Sequence, residues 1–211
     1  AFLADHAGLR GRPADVTPVR DGDVVAVGDR ALTAVHLPGH AAGLTAYVRE
    51  GGAEAFVGDA LLPKYTPNVG GADLGVDRPL ERYVDGLVRL VDLDLDRALP
   101  GHREPIEEPT ERALEILDHH RERTRRVVDV LARHGPCDAW TTSAHLFGDL
   151  EGIHVLHGPG EASAHLDHLV DLGDVEREGT QYSLTPGARE RLDSHDGDTW
   201  PVSSEARDEA A

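Results

Sequence analysis

Methionine is absent from the 211 residues, cysteine occurs once, at Cys137, and Lys64 is the lone lysine among 21 basic residues. A single thiol excludes an internal disulfide and a cysteine-built zinc site, and it fits a reducing cytoplasm. No apolar run reaches the roughly 20 residues of a membrane span, and the N-terminus lacks the basic-then-apolar order of a signal peptide. Positive charge is scarce as well: 39 acidic side chains leave a formal net charge of −18. Such a field disfavours nonspecific attachment to nucleic acid or anionic membrane.

What recurs instead is a word. Leu-Pro-Gly-His stands at 37–40 and again at 99–102. The stretch before the first word predicts two strands, Val24–Val27 and Leu32–His36, joined at Gly28-Asp29. A third strand follows in "LTAYVRE" and a fourth in "AEAFVGD", which runs into Asp59. Residues 63–77, with two prolines and three glycines, predict a loop. Leu80, Tyr83, Val84, Leu87, Leu90 and Val91 then recur at helical spacing behind Pro79, and a short strand leads into the second word.

Beyond Pro109 the pattern turns helical. A long charged helix is expected over Thr110–Arg133, with Leu114, Leu117, Val127, Val128 and Leu131 as its apolar positions, stopped by Gly135-Pro136. Shorter helices are expected around Thr141–Phe147 and Glu161–Leu172, then a hairpin turning at Gly179-Thr180. Three helices and a two-stranded wing resemble a winged helix. The division is therefore 1–108 as an α/β unit, 109–188 as the long helix with a winged-helix-like α+β unit, and 189–211 as an acidic, disordered tail.

Both words follow a strand. Proline fixes φ and glycine admits backbone geometry closed to other residues, so each pair turns the chain at a sheet rim and delivers a histidine there. Asp59 arrives behind its own glycine in the same way. His40, Asp59 and His102 come from three different strands, too far apart in sequence for one helix face or hairpin. Two imidazoles and a carboxylate suit zinc, iron or manganese, and a carboxylate bridging two ions is common in hydrolytic sites.

The succession "HLPGHAAGLTAYV", "AFVGDALL" and "ALPGH" resembles the metallo-β-lactamase superfamily, and within it the glyoxalase II-like hydrolases. The resemblance covers about residues 15–108, and the winged-helix-like segment is similar to a C-terminal extension in one branch. It implies the C-terminal half of an αββα fold. It also implies zinc, as a pair of ions in an intact protein, with His40 completing one site, Asp59 bridging and catalytic, and His102 ligating the second ion. Ala41 stands where threonine is common, which removes a hydroxyl but no ligand. The implied activity is hydrolysis of an ester, thioester or phosphoester by metal-bound hydroxide. The acidity with almost no lysine resembles haloarchaeal proteins, whose carboxylate surfaces stay hydrated while salt screens self-repulsion.

One part of the family pattern is missing. The cluster His-x-His-x-Asp-His does not occur; His6 is the only histidine before His36. The expectation is a chain lacking the first half of its hydrolase domain, inactive by itself, with one sheet face left uncovered. Lys64 and Tyr65, just after the Gly-Asp pair, are expected to bind an anionic substrate group. His36 is expected to support the site, His119 and His120 to face solvent, and His165 with His168 to form at most an adventitious metal pair. A small-molecule substrate and a homodimer are the expected partners. The helix from Glu161 carries carboxylates and neither arginine nor lysine, which argues against DNA. Two rivals stay open: a noncatalytic interaction protein with a vestigial metal site, and an RNA-processing nuclease.

Overall fold

A computed structural model describes residues 15–193. Five strands form one sheet: β1 (Val24–Val27), β2 (Arg30–His36), β3 (Thr45–Arg49), β4 (Glu54–Gly58) and β5 (Arg97–Pro100), in that spatial order. The first four run antiparallel, neighbour to neighbour. β5 pairs parallel to β4, after a crossover through helix α1 (Pro79–Asp92). Proline opens α1 at the one place where a missing N–H costs nothing. Leu80, Val84, Leu87 and Leu90 of α1 bury against Ala46, Val48, Ala55 and Val57 on one sheet face. On the other face, Tyr47 pairs with Phe56 and Phe56 with Leu99, and Phe56 is 48% exposed.

Helix α2 (Pro109–His134) packs along α1 and leads into α3 (Ala139–Phe147), α4 (His154–Asp171), a hairpin of β6 (Val175–Glu178) and β7 (Gln181–Leu184), and α5 (Pro186–Asp193). The Asp138 carboxylate caps α3 by accepting from the Thr141 N–H. A second core joins these elements, with Val127, Leu131, Leu146, Leu166, Leu169, Tyr182 and Leu184. Among the described residues no helix is long and apolar enough to cross a membrane.

Four expectations are corrected. Leu114 of α2 is exposed, and the buried stripe runs instead through Ala113, Ile116, His120, Thr124, Val127 and Leu131. α4 begins at His154 rather than near Glu161, because Gly158-Pro159-Gly160 lies inside the helix instead of ending it. Residues 189–193 are helical, in α5, where Ala188 is fully buried. Leu99 and Pro100 of the second word are ladder residues of β5 rather than a turn beyond it. His6 and the tail from 194 lie outside the described residues.

Candidate metal centre

β2, β4 and β5 point the same way, because β3 is antiparallel to both neighbours and β5 is parallel to β4. Their C-terminal ends therefore share one edge of the sheet, and His40, Asp59 and His102 follow those three ends. The Gly101 N–H donates to the Gly58 carbonyl at 2.9 Å, which locks the two later loops together.

Asp59 is the hub. Its Oδ2 lies 3.6 Å from His40 Nε2 and 3.4 Å from His102 Nε2. These separations are too long for good hydrogen bonds. They match the roughly 3.4 Å expected between two ligands sharing a tetrahedral ion at bond lengths of about 2.1 Å. The His40 Nδ1–H donates to the Asn68 carbonyl at 2.8 Å, so the tautomer assigned from this bond leaves Nε2 bare toward Asp59. An imidazole tied to a carbonyl through its far nitrogen is the usual arrangement of a metal-binding histidine. Donors of these types suit a divalent cation. The fit is incomplete: among the described residues no group of three or more His, Cys, Asp or Glu forms a ready cage. The His102 side chain is 71% exposed, against 22% for His40 and 24% for Asp59.

Neighbouring residues explain why these loops hold their shape. A Cβ at Gly39, whose φ is 146°, would sit 2.5 Å from Tyr83 Cβ and 2.6 Å from its Cα. A Cβ at Gly101 would sit 2.5 Å from Asp59 Oδ1. Tyr83 is buried in α1, and its hydroxyl donates to the Ala60 carbonyl at 3.0 Å, so one side chain touches both the His40 loop and the Asp59 loop. Burial raises its phenol well above the ordinary tyrosine range. The His36 Nε2–H donates to the Ala42 carbonyl at 2.8 Å, a supporting contact on the His40 loop. The Asp73 carboxylate accepts from the Ala42 N–H at 2.8 Å and the Gly75 N–H at 2.9 Å. These bonds, Ala42 first, hold it below the usual carboxylate range. Asp73 escaped the sequence reading because nothing in "GGADLG" shows which distant N–H it meets.

Lys64 and Tyr65 lie together, with Lys64 Nζ 5.6 Å from the Tyr65 ring centre. On the same ring the Arg103 guanidinium stacks at 4.8 Å, directly after His102 in the chain. Arg103 adopts φ 72°, in the left-handed region. Sequence reasoning missed Arg103, although its place beside a candidate ligand was the available signal. The α2 and α4 histidines depart from expectation: His120 and His165 are fully buried, His168 nearly so, and His119 is half-buried. His120 does not face solvent, and its burial pushes it down to about 3.

Comparison with known proteins points in one direction. A family profile described as the metallo-beta-lactamase superfamily matches residues 4–102. A metallo-beta-lactamase family protein from Thermus thermophilus is 34% identical with a TM-score of 0.72, over 82% of this chain and 56% of that one. Membership of the metallo-β-lactamase superfamily is supported. A beta-lactamase domain protein from Burkholderia ambifaria is 26% identical with a TM-score of 0.72, over 88% of this chain and 60% of that one. Among curated relatives, the "Beta-lactamase-like protein 2 homolog" of Caenorhabditis elegans is 28% identical over 62% of this chain. The "Lactamase-like protein aptB" of Emericella nidulans is 30% identical over 54%. The chain spans less than half of both curated relatives, 42% and 34% of their lengths. The metallo-β-lactamase-like α/β fold is supported on the same grounds, as a mixed sheet with helices.

Proposed function

We propose that this chain carries part of the active site of a metal-dependent hydrolase acting on a small ester, thioester or phosphoester. The observation that carries the reading is the approach of two histidine Nε2 atoms to one Asp59 oxygen, with His40 already held in the ligand tautomer. His40, Asp59 and His102 would hold zinc, iron or manganese, with Asp59 between two ions. Such an ion, when bound, supplies Lewis acidity and a nucleophilic water at neutral pH. The protein's own part is orientation: Asn68 fixes the His40 ring, Tyr83 fixes the backbone after Asp59, and Gly101 leaves room for the carboxylate. Lys64 and Arg103, both on the Tyr65 ring, would receive an anionic substrate group, which their charge suits in a chain of net charge −18.

The resemblance to glyoxalase II-like hydrolases, the winged-helix reading of 109–188, a homodimer, a haloarchaeal source and a cytoplasmic location complete this proposal. The free thiol of Cys137 supports the last of these. Without the His-x-His-x-Asp-His cluster these 211 residues offer two ligands per ion, so weak metal binding and little turnover are expected of them. The rival, a noncatalytic interaction protein, is favoured by the lack of a complete cage among the described residues. A nuclease is disfavoured by the acidity of α4.

Equilibrium dialysis against zinc, manganese and ferrous iron tests the proposal, with Asp59→Asn and the double variant His40→Ala/His102→Ala as controls. Saturable binding that both controls abolish is expected. Binding that survives both places the metal elsewhere, and no binding by the parent chain favours the rival.

A further inference from the structure

We propose that the C-terminal helices are a positioning element for His40, acting through Asn68; the inference rests on the metal reading above. The Asn68 carbonyl accepts the His40 Nδ1–H, so the place of that carbonyl decides which ring nitrogen stays bare. Asn68 is itself held from the C-terminal unit. Its Nδ2 donates to the His157 carbonyl and to Glu161 Oε2, both at 3.2 Å, and both partners belong to α4. Its Oδ1 accepts from the Gly71 N–H at 3.0 Å, closing the loop on itself. The other Glu161 oxygen pairs with Arg123 of α2, whose guanidinium lies 4.6 Å over the Phe147 ring of α3. The Glu161 and Arg123 side chains are only 15% and 11% exposed, so the pair is sheltered from screening.

A second observation is steric. A Cβ at Gly160 would lie 2.4 Å from Gly71 Cα, and one at Gly70 would lie 2.6 Å from the Gly160 carbonyl oxygen. Loop and helix therefore meet backbone to backbone. A glycine inside a helix costs roughly 1 kcal/mol relative to alanine. Gly160 is the helical position that admits the 68–71 loop. Gly158 plays a different part, since its Cβ would meet Leu150 and Ser143 instead. The steric contact at Gly160 and the Glu161–Asn68 bond sit side by side on α4. They set the loop that sets the histidine.

Long-range proton–nitrogen NMR of the histidine rings in the full 211-residue chain reads the tautomer without metal, and a zinc titration reads its consequence. Wild-type His40 is expected as the Nδ1–H form. Asn68→Ala and Glu161→Ala are expected to mix the tautomers and weaken zinc binding about 10-fold, the low end for removal of a ligand's support. Glu161→Gln, which keeps an oxygen for the Asn68 amide, should preserve both readings even though it loses charge toward Arg123. Should Glu161→Ala unfold, Asn68→Asp serves in its place: it keeps the Gly71 bond but sets a carboxylate against Glu161, and should mix the tautomers. Unchanged tautomers in the replacement variants overturn the inference, as does damage from Glu161→Gln equal to that from Glu161→Ala. A chain that binds no zinc sinks the metal reading alone, and the tautomers still decide the role of Asn68.

Discussion

Acid should weaken this protein well above the pH at which carboxylates titrate, and the cause lies where α2 meets α4. Thr124 donates its hydroxyl to the His120 carbonyl at 2.9 Å, so its 2.8 Å contact with His165 Nδ1 requires that nitrogen to carry a proton. His165 Nε2 is then bare and faces His120 Nδ1 at 3.5 Å. Both rings are neutral and fully buried, and the charged or titratable groups around them are His119, His168 and Arg123, with the Tyr83 ring against His120. Burial first, then the neighbouring histidines and Arg123, lowers His165 well below its ordinary value and His120 to about 3, from 6.5.

The sign follows from proton counting. Above pH 6.5 neither state binds a proton at these rings. Below it the unfolded chain does and the folded chain does not, so stability falls as pH falls. Between pH 7 and 5 His120 removes about 2 kcal/mol, and His165 acts in the same direction with a comparable ceiling, from a total that for a domain is typically 5–15. His119, lowered by burial, acts in the same direction. Glu161, raised by burial, opposes it, because the folded chain keeps that proton longer. Urea unfolding followed by circular dichroism at pH 7 and pH 5 measures the difference. His120→Leu should cut it by about half, whatever it does to stability at pH 7. A wild-type difference under about 0.5 kcal/mol, or an equal difference in the variant, refutes the account.

Two further outcomes test the rim. Gly101→Ala places a methyl 2.5 Å from Asp59 Oδ1, and should weaken metal binding at least 10-fold in an isothermal titration while the far-ultraviolet spectrum is kept. Arg103→Gly removes a left-handed arginine and should raise urea stability by about 1 kcal/mol, while raising the KM for an anionic ester several-fold in an active form of the protein.

Strand positions were readable because short apolar runs ended at Gly-Asp, Gly-Gly and Pro-Gly pairs, and turn chemistry is local. The three candidate residues stand out because a polar side chain at a strand end behind Pro-Gly, or behind Gly58 for Asp59, is a local signal too. What the local signals lacked was the partner. His120 and Thr124 are polar by type, so the sequence offers Leu114, Leu117, Val127, Val128 and Leu131 as the apolar positions of α2; the last three are buried, but the stripe before them uses the two polar residues to meet His165. Gly158-Pro159-Gly160 is a helix-breaking triplet by residue type, yet α4 runs through it. Gly160 is where the 70–71 loop lies against that helix.

The repeated word shows the same limit. Its glycines stand at identical places in Leu-Pro-Gly-His, yet they are required for different reasons. At Gly39 the obstacle is a helix, since α1 passes so close that Tyr83 occupies the site of any Cβ, and the φ of 146° excludes other residues independently. At Gly101 the obstacle is the candidate ligand, since only a missing Cβ leaves room for the Asp59 carboxylate beside the end of β5. The first glycine lets His40 turn over α1, and the second brings Asp59 within 3.4 Å of His102. Alanine at Gly39 should therefore misplace one ligand and disturb the α1 core, whereas alanine at Gly101 should spare the fold and strike the metal.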